Sequence, residues 1–439
     1  MFDIGEFAAR RQELMQNMAE GVAIIPTSPE AIRNRDAHYP YRFDSYFYYL
    51  TGFKEPGSVL FLIAGETPKT ILFCRDKDKE REIWDGFRYG PEAAVTQFGI
   101  DEAYSINALD EMAPTLLGNK DILFYSLGAD AVWDGRVSKW LTQLREGARS
   151  GVKAPEAVVD IRQCIDNMRL VKSDYEIEIM QQSAKIAAGA HNRAMKFVGS
   201  KKAKVYQTEY AVEAEFLHEF YRHGAQAPAY TSIVAGGANA CTLHYNANNC
   251  PLHHGDLLLI DAGCELHGYA SDITRTFPIN GIFSAVQKDI YELVLEAQMA
   301  AIEKANTANY WNAPHEAALD VLIQGFIDFG LCQGSFDEVL ETGAYRQFYM
   351  HRTGHWLGLD VHDAGEYKDK AGQWRMLEAG NVLTVEPGCY IRPADHVPEA
   401  FWNIGIRIED DVLIRPTGNE VLTRDAVKSV ADIEALMKR

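Results

Sequence analysis

A chain of 439 residues with 47% hydrophobic and 24% charged residues is long enough for two or three domains and has the balance of a globular protein, not a disordered or fibrous one. Its net charge of -19 argues against nucleic acid or an anionic membrane as a partner, because polyanions recruit basic surfaces. Seven scattered cysteines with no Cys-x-x-Cys pair indicate neither a disulfide framework nor a zinc knuckle, and they predict a reducing compartment.

The N-terminal stretch MFDIGEFAARRQEL places Asp3 and Glu6 where a signal peptide needs a basic and then an apolar segment. No later stretch offers about 18 uninterrupted apolar residues, so no membrane span and a cytoplasmic location are expected. Next come strand-like runs, GVAIIPT, SVLFLIAG, TILFCR and DILFYSLG, alternating with helix-like stretches such as VSKWLTQLREGAR. That is α/β patterning. Ser173 followed three residues later by Glu176 is a capping-box signature that opens a helix of about six turns. It sets the predicted boundary between a smaller N-terminal α/β domain, residues 1–172, and a second domain, residues 173–439. Two further helices are predicted in QTEYAVEAEFLHEFYRHG and VQKDIYELVLEAQMAAIEKA, with a strand-rich region from about 228 to 280 between them.

The second domain repeats itself. GDLLLIDAGC at 255–264 aligns with GNVLTVEPGC at 380–389, since 380 minus 255 and 386 minus 261 both give 125. Both copies end an aliphatic run in an acid, Asp261 and Glu386, where an isolated carboxylate is costly to bury. An internal duplication with two facing half-domains accounts for this better than chance. ELHGYASDITRTFPI reads as a hairpin, with its turn at Gly268 and an alternating strand from Asp272 that sets Asp272 beside Asp261. IGIRIEDDVLI reads as a strand with Glu409 in its middle and Arg407 two residues earlier on the same face. Four carboxylates so placed repel one another unless cations intervene, and two divalent ions balance them. HRTGHWLGLDVHD offers His351, His355 and His362 as imidazole ligands. A donor set of mostly oxygen plus one nitrogen suits manganese, cobalt or iron better than a thiolate-type zinc site does.

Asp261, Asp272, His355, Glu386 and Glu409, embedded in IDAG, SDITRTF, HRTGHWLGLDVHD, TVEPG and IRIEDD, resemble the ligand series of the dinuclear metallopeptidases of the pita-bread fold. The aminopeptidase P branch is the most similar: NRDAHYPYRFDSYFYYLTGF and EREIWDGFRYGPE resemble its N-terminal part, and MRLVKS its interdomain junction. The resemblance implies a pita-bread second domain with a pseudo-twofold repeat and cleavage of peptides with proline second. It also implies two divalent ions, manganese first and cobalt or zinc as alternatives, with a bridging hydroxide as nucleophile. Asp261, Asp272 and Glu409 would hold one ion and Asp272, His355, Glu386 and Glu409 the other. Tyr230 and Arg407 match residues that support the cluster, and His244, His351 and His362 match active-site histidines. His362 and His244 are assigned to the substrate carbonyl and Glu386 to proton transfer. A homo-oligomer, dimer or tetramer, is implied, with the loop carrying Trp84 near a neighbouring active site. The rival readings are a prolidase, a methionine aminopeptidase and a non-catalytic scaffold.

The other histidines, His38, His191, His218, His223, His253, His254, His267, His315 and His396, read as surface or satisfied core residues. HEFYRH resembles the zincin motif, but its histidines stand five apart and diverge by about 140° on a helix, so it reads as a solvated face. The sequence contains no P-loop, no Gly-x-Ser-x-Gly elbow and no dinucleotide-binding glycine pattern after a strand.

Overall fold

The computed structural model describes residues 3–200 and 208–438, and its contacts divide the chain into two compact units, Met1–Met168 and Arg169–Arg439. In the first, the four predicted runs become β1 (Gly21–Pro26), β2 (Val59–Ala64), β3 (Lys69–Cys74) and β5 (Ile122–Phe124). With β4 (Glu102–Ser105) and β6 (Ala157–Val159) they form one mixed sheet in the order β4-β3-β2-β1-β5-β6. Val22, Ile24, Val59, Phe61, Ile71 and Phe73 pack with Trp140 on one face, and the residues between them are buried too. A sheet covered on both faces needs no polar alternation, which is why these runs read as continuous apolar stretches. The helix predicted from VSKWLTQLREGAR begins earlier, at Ala131. There the Asp130 carboxylate accepts from the Val132 and Trp133 N–H groups and caps α2 (Ala131–Glu146); α1 is Ile4–Met18.

The second unit opens with α3 (Asp174–Gly199), whose capping box of Ser173 and Glu176 is formed in both directions. Among the helices that follow are α4 (Glu209–Arg222), α5 (Ala285–Lys304) and α6 (Ala313–Asp328). Between the first two of these lie β7 (Ile233–Gly236), β8 (Leu257–Asp261), β9 (Cys264–Leu266) and β10 (Thr274–Pro278), with β7, β8 and β10 in one antiparallel sheet. After α6 come β11 (Val382–Val385), β12 (Gly388–Ile391), β13 (Ile404–Arg407), β14 (Asp410–Ile414) and β15 (Asn419–Val421).

The duplication seen in sequence is structural. β8 and β11 occupy matching places, each pairing antiparallel with a later strand, β10 or β14. Each is preceded by a glycine in the left-handed region, Gly255 at φ 97° and Gly380 at φ 96°. Each is followed by a glycine where chains meet closely. A Cβ on Gly263 would lie 1.6 Å from the Ser271 carbonyl oxygen, and one on Gly388 would lie 2.8 Å from that of Ile406.

Two local expectations change. β10 starts at Thr274, not Asp272, and is buried along its whole length instead of alternating, because both of its faces are covered. Glu409 sits in the break between β13 and β14, not in the middle of a strand. Interrupting the ladder re-aims a side chain. Asp272 and Glu386 likewise stand just outside their strands, so three of the four acids are carried where the pleat does not dictate direction.

Candidate metal centre

One cavity of about 890 Å³ is lined by all five predicted ligands, Asp261, Asp272, His355, Glu386 and Glu409, and also by Tyr230, His244, His351, His362 and Arg407. Residues up to 179 positions apart in the chain thus reach one space. Asp261 ends β8 opposite Thr274, the second residue after Asp272. The Tyr230 hydroxyl oxygen lies 2.5 Å from Asp261 Oδ1 and 2.5 Å from Asp272 Oδ1. A phenol has one proton, so it serves one of these acids at a time and positive charge is wanted between them.

His355 is fixed in orientation. Its backbone N–H donates to Thr384 Oγ1 (3.1 Å) and its Nδ1 donates to the Trp356 carbonyl (2.9 Å), which turns Nε2 toward the acids. That nitrogen is 3.5 Å from Asp272 Oδ2 and 3.7 Å from Glu386 Oε1. Both separations are long for hydrogen bonds but suit two ligands that each lie about 2 Å from a shared cation. Ligand atoms of Asp272, His355 and Glu409 all fall within 4.8 Å of one another. Glu409 also accepts from Thr274 Oγ1 at 2.6 Å.

Electrostatics point the same way. Arg407 donates to Asp261 Oδ2 (2.6 Å), to the Tyr390 hydroxyl (2.9 Å) and to Thr274 Oγ1 (3.1 Å), so it offsets one acid of the four. Burial, and then Asp272, Glu386 and Asp261, push Glu409 well above the usual carboxylate range, and burial raises Glu386 to about 7. Burial opposes charge on His355, yet Asp272 and Glu386 outweigh it and raise the imidazole to about 9. Without cations the cluster gathers protons; carboxylate oxygens plus one imidazole are the donor set that divalent ions take. The residues fit the expected metals.

Of the three histidines offered by HRTGHWLGLDVHD, His355 turns Nε2 toward Asp272 and Glu386, and His351 Nδ1 lies 3.8 Å from Glu386 Oε2. His351 Nδ1 donates to the Arg352 carbonyl (2.7 Å) and its Nε2 accepts from the Tyr390 hydroxyl (2.8 Å), so both nitrogens are engaged. His362 is exposed and meets the His355 ring edge to face, centroids 4.3 Å apart. His244 lines the cavity wall. In HEFYRH, His218 and His223 are exposed outside the cavity, and His223 contacts Glu219 at 3.0 Å. His191 is buried and His315 half-buried, each with a partner at 2.8 Å, the Ala262 carbonyl and Thr353 Oγ1.

Sequence reasoning missed the frame. Arg275, 0% exposed, spends every N–H: Nε on the Val427 carbonyl, Nη1 on the Thr274 and Glu409 carbonyls, Nη2 on the Ala426 carbonyl and Asp410 Oδ1. Asp410 is held further by Gln298, Thr423 and Lys428. This knot fixes the break that carries Glu409. Asp411 accepts from the Asp272 N–H at 3.2 Å, and Tyr390 links Arg407 to His351. A signal did exist: an acid directly after Glu409 in an apolar strand demands a cation, and Arg275 in SDITRTF supplies it.

Comparisons with known proteins agree with this geometry. The model of metallopeptidase family M24 matches residues 178–416, and that of the aminopeptidase P N-terminal domain matches residues 7–125. The Xaa-Pro aminopeptidase of Escherichia coli K12 is 43% identical over 436 residues, covering 98% of this chain and 97% of its own. Pseudomonas aeruginosa aminopeptidase PepP superposes with a TM-score of 0.95 at 48% identity, covering 99% and 98% of the two chains. A zinc-substituted E. coli aminopeptidase P in complex with product gives 0.95 at 42% identity, with 99% and 98% covered.

Proposed function

We propose, from the premise that the chain belongs to metallopeptidase family M24 and is a metal-dependent aminopeptidase, that it releases the first residue of peptides whose second residue is proline. The observation that carries this reading is the convergence of Asp261, Asp272, His355, Glu386 and Glu409 on one cavity. Asp261, Asp272 and Glu409 would hold one ion and Asp272, His355, Glu386 and Glu409 the other; manganese is the native ion in this reading, with cobalt or zinc as substitutes. Divalent ions bound there polarise a carbonyl and lower the pKa of water.

The residues of the chain do the rest. In the loaded site the free amino group of the substrate would be taken by one ion, which confines cleavage to the first bond. His362 and His244 donate to the scissile carbonyl oxygen as negative charge grows on it. Glu386 would carry a proton from attacking water to the proline nitrogen. Tyr230 and Arg407 hold Asp261 in place, and His351 is braced through Tyr390. In this reading the protein is a cytoplasmic homo-oligomer, dimer or tetramer, with the Trp84 segment near a neighbouring active site. Ile83, Trp84 and Phe87 are 80%, 84% and 63% exposed, which supports that arrangement.

The test is a series of Xaa-Pro peptides of increasing length, given to apo protein reloaded with manganese, cobalt or zinc. Release of arginine from Arg-Pro-Pro is expected. Cleavage confined to dipeptides would assign a prolidase and overturn the proposal.

A further inference from the structure

The floor of the cavity is acidic, but its wall carries a cation without a counter-ion. Arg352 lines the cavity and is exposed, and among the described residues it forms no ion pair. What holds it is neutral. Its Nη2 donates to Asn312 Oδ1, and its guanidinium carbon lies 5.3 Å from the centre of the Trp374 ring. Asn312 is itself turned by Glu316, which accepts from its amide at 2.7 Å and from the Tyr310 hydroxyl at 2.6 Å, so the nearby acid is already engaged. Trp374 carries a second cation, Lys368 Nζ, 4.3 Å from its ring centre, and the two residues pair across a β-bridge.

A guanidinium positioned by an amide oxygen and an aromatic face keeps its remaining N–H groups for a planar anion. Two cations thus flank Trp374, and one of them, Arg352, lines the same cavity as the four acids. At about 890 Å³ the cavity has the size of those that enclose drug-sized ligands, roughly a tri- or tetrapeptide. A short peptide ends in a carboxylate, and Arg352 offers its complement on the cavity wall.

We propose that Arg352, seated against Trp374 beside Lys368, is a specificity-determining residue that binds the C-terminal carboxylate of short peptide substrates. This rests on the aminopeptidase reading above. A charge-assisted bidentate contact of this kind is expected to favour a free acid over the corresponding amide by about tenfold.

The manganese-loaded full-length enzyme is given Ala-Pro-Ala and its C-terminal amide, and kcat and KM are measured for each. The expected result is a kcat/KM about ten times higher for the free acid, arising from KM. In Arg352→Met the ratio of acid to amide collapses to about one, and in Arg352→Lys it is intermediate. Equal use of acid and amide by the wild type, or an undiminished ratio in Arg352→Met, overturns the proposal. Failure to cleave either peptide is a separate result, which overturns the aminopeptidase reading itself.

Discussion

Arg275→Met removes the guanidinium beneath the Glu409 break while keeping most of its volume. Its partner Asp410 is 0% exposed, and so is Arg275. Breaking a buried ion pair from one side costs about 3–5 kcal/mol, because the surviving charge is left with less compensation. Lys428, at 2.7 Å from Asp410 Oδ2, softens that loss. Four backbone carbonyls, those of Thr274, Glu409, Ala426 and Val427, lose a donor as well, at about 1 kcal/mol each where no water replaces it. The sum is about 5 kcal/mol or more, comparable to the whole stability of many domains. Urea unfolding of the purified protein should show the midpoint falling sharply. Adding Asp410→Leu should restore part of the loss, since an apolar replacement of both partners removes the stranded charge. A single-variant loss below about 1 kcal/mol, or a double variant weaker than the single, would refute the view that this knot holds the metal-binding break.

Asp272→Ala should abolish turnover and lower the bound metal, measured by elemental analysis, whereas His218→Ala, on the exposed face of α4, should leave both near wild type. Equal loss in the two variants would show that the site is misplaced. His362→Ala should retain its metal while kcat falls by orders of magnitude, as expected for a hydrogen bond made in the transition state. Metal loss in that variant would make His362 a ligand instead. His191, buried against the Ala262 carbonyl, is held down to about 4 by burial, against about 6.5 in an unfolded chain. A base depressed in the folded state contributes stability that is present above pH 6.5 and is lost as pH falls toward 4, here about 3 kcal/mol. His191→Asn should therefore lose stability less steeply than wild type between pH 6.5 and 4 in thermal melts, and parallel curves would contradict this assignment.

Much of the protein was legible without coordinates. Apolar runs located β1, β2, β3 and β5, and a Ser173–Glu176 capping box marked the start of α3, because these signals are local and backbone chemistry responds to them locally. The repeat at a spacing of 125 residues located both half-domains, since matching glycines are forced by left-handed backbone at Gly255 and Gly380 and by close contacts at Gly263 and Gly388. The acids at the ends of aliphatic runs also betrayed themselves, because unpaired charge among apolar neighbours needs an explanation.

Other features had no sequence signal strong enough to read. Which of His351, His355 and His362 faces the acids depends on whether a nearby carbonyl or hydroxyl claims each ring nitrogen, and that is set by neighbours such as Trp356 and Tyr390. The placement of Glu409 in a break, the Arg275 knot beneath it and the unpaired Arg352 on Trp374 all join residues remote in the chain. The sequence by itself determined which residues bear charge, which segments must be strand or helix, and that the acids require cations. Only the tertiary structure decided direction and company, because hydrogen bonds and ion pairs depend on ångström separations that chain spacing does not encode.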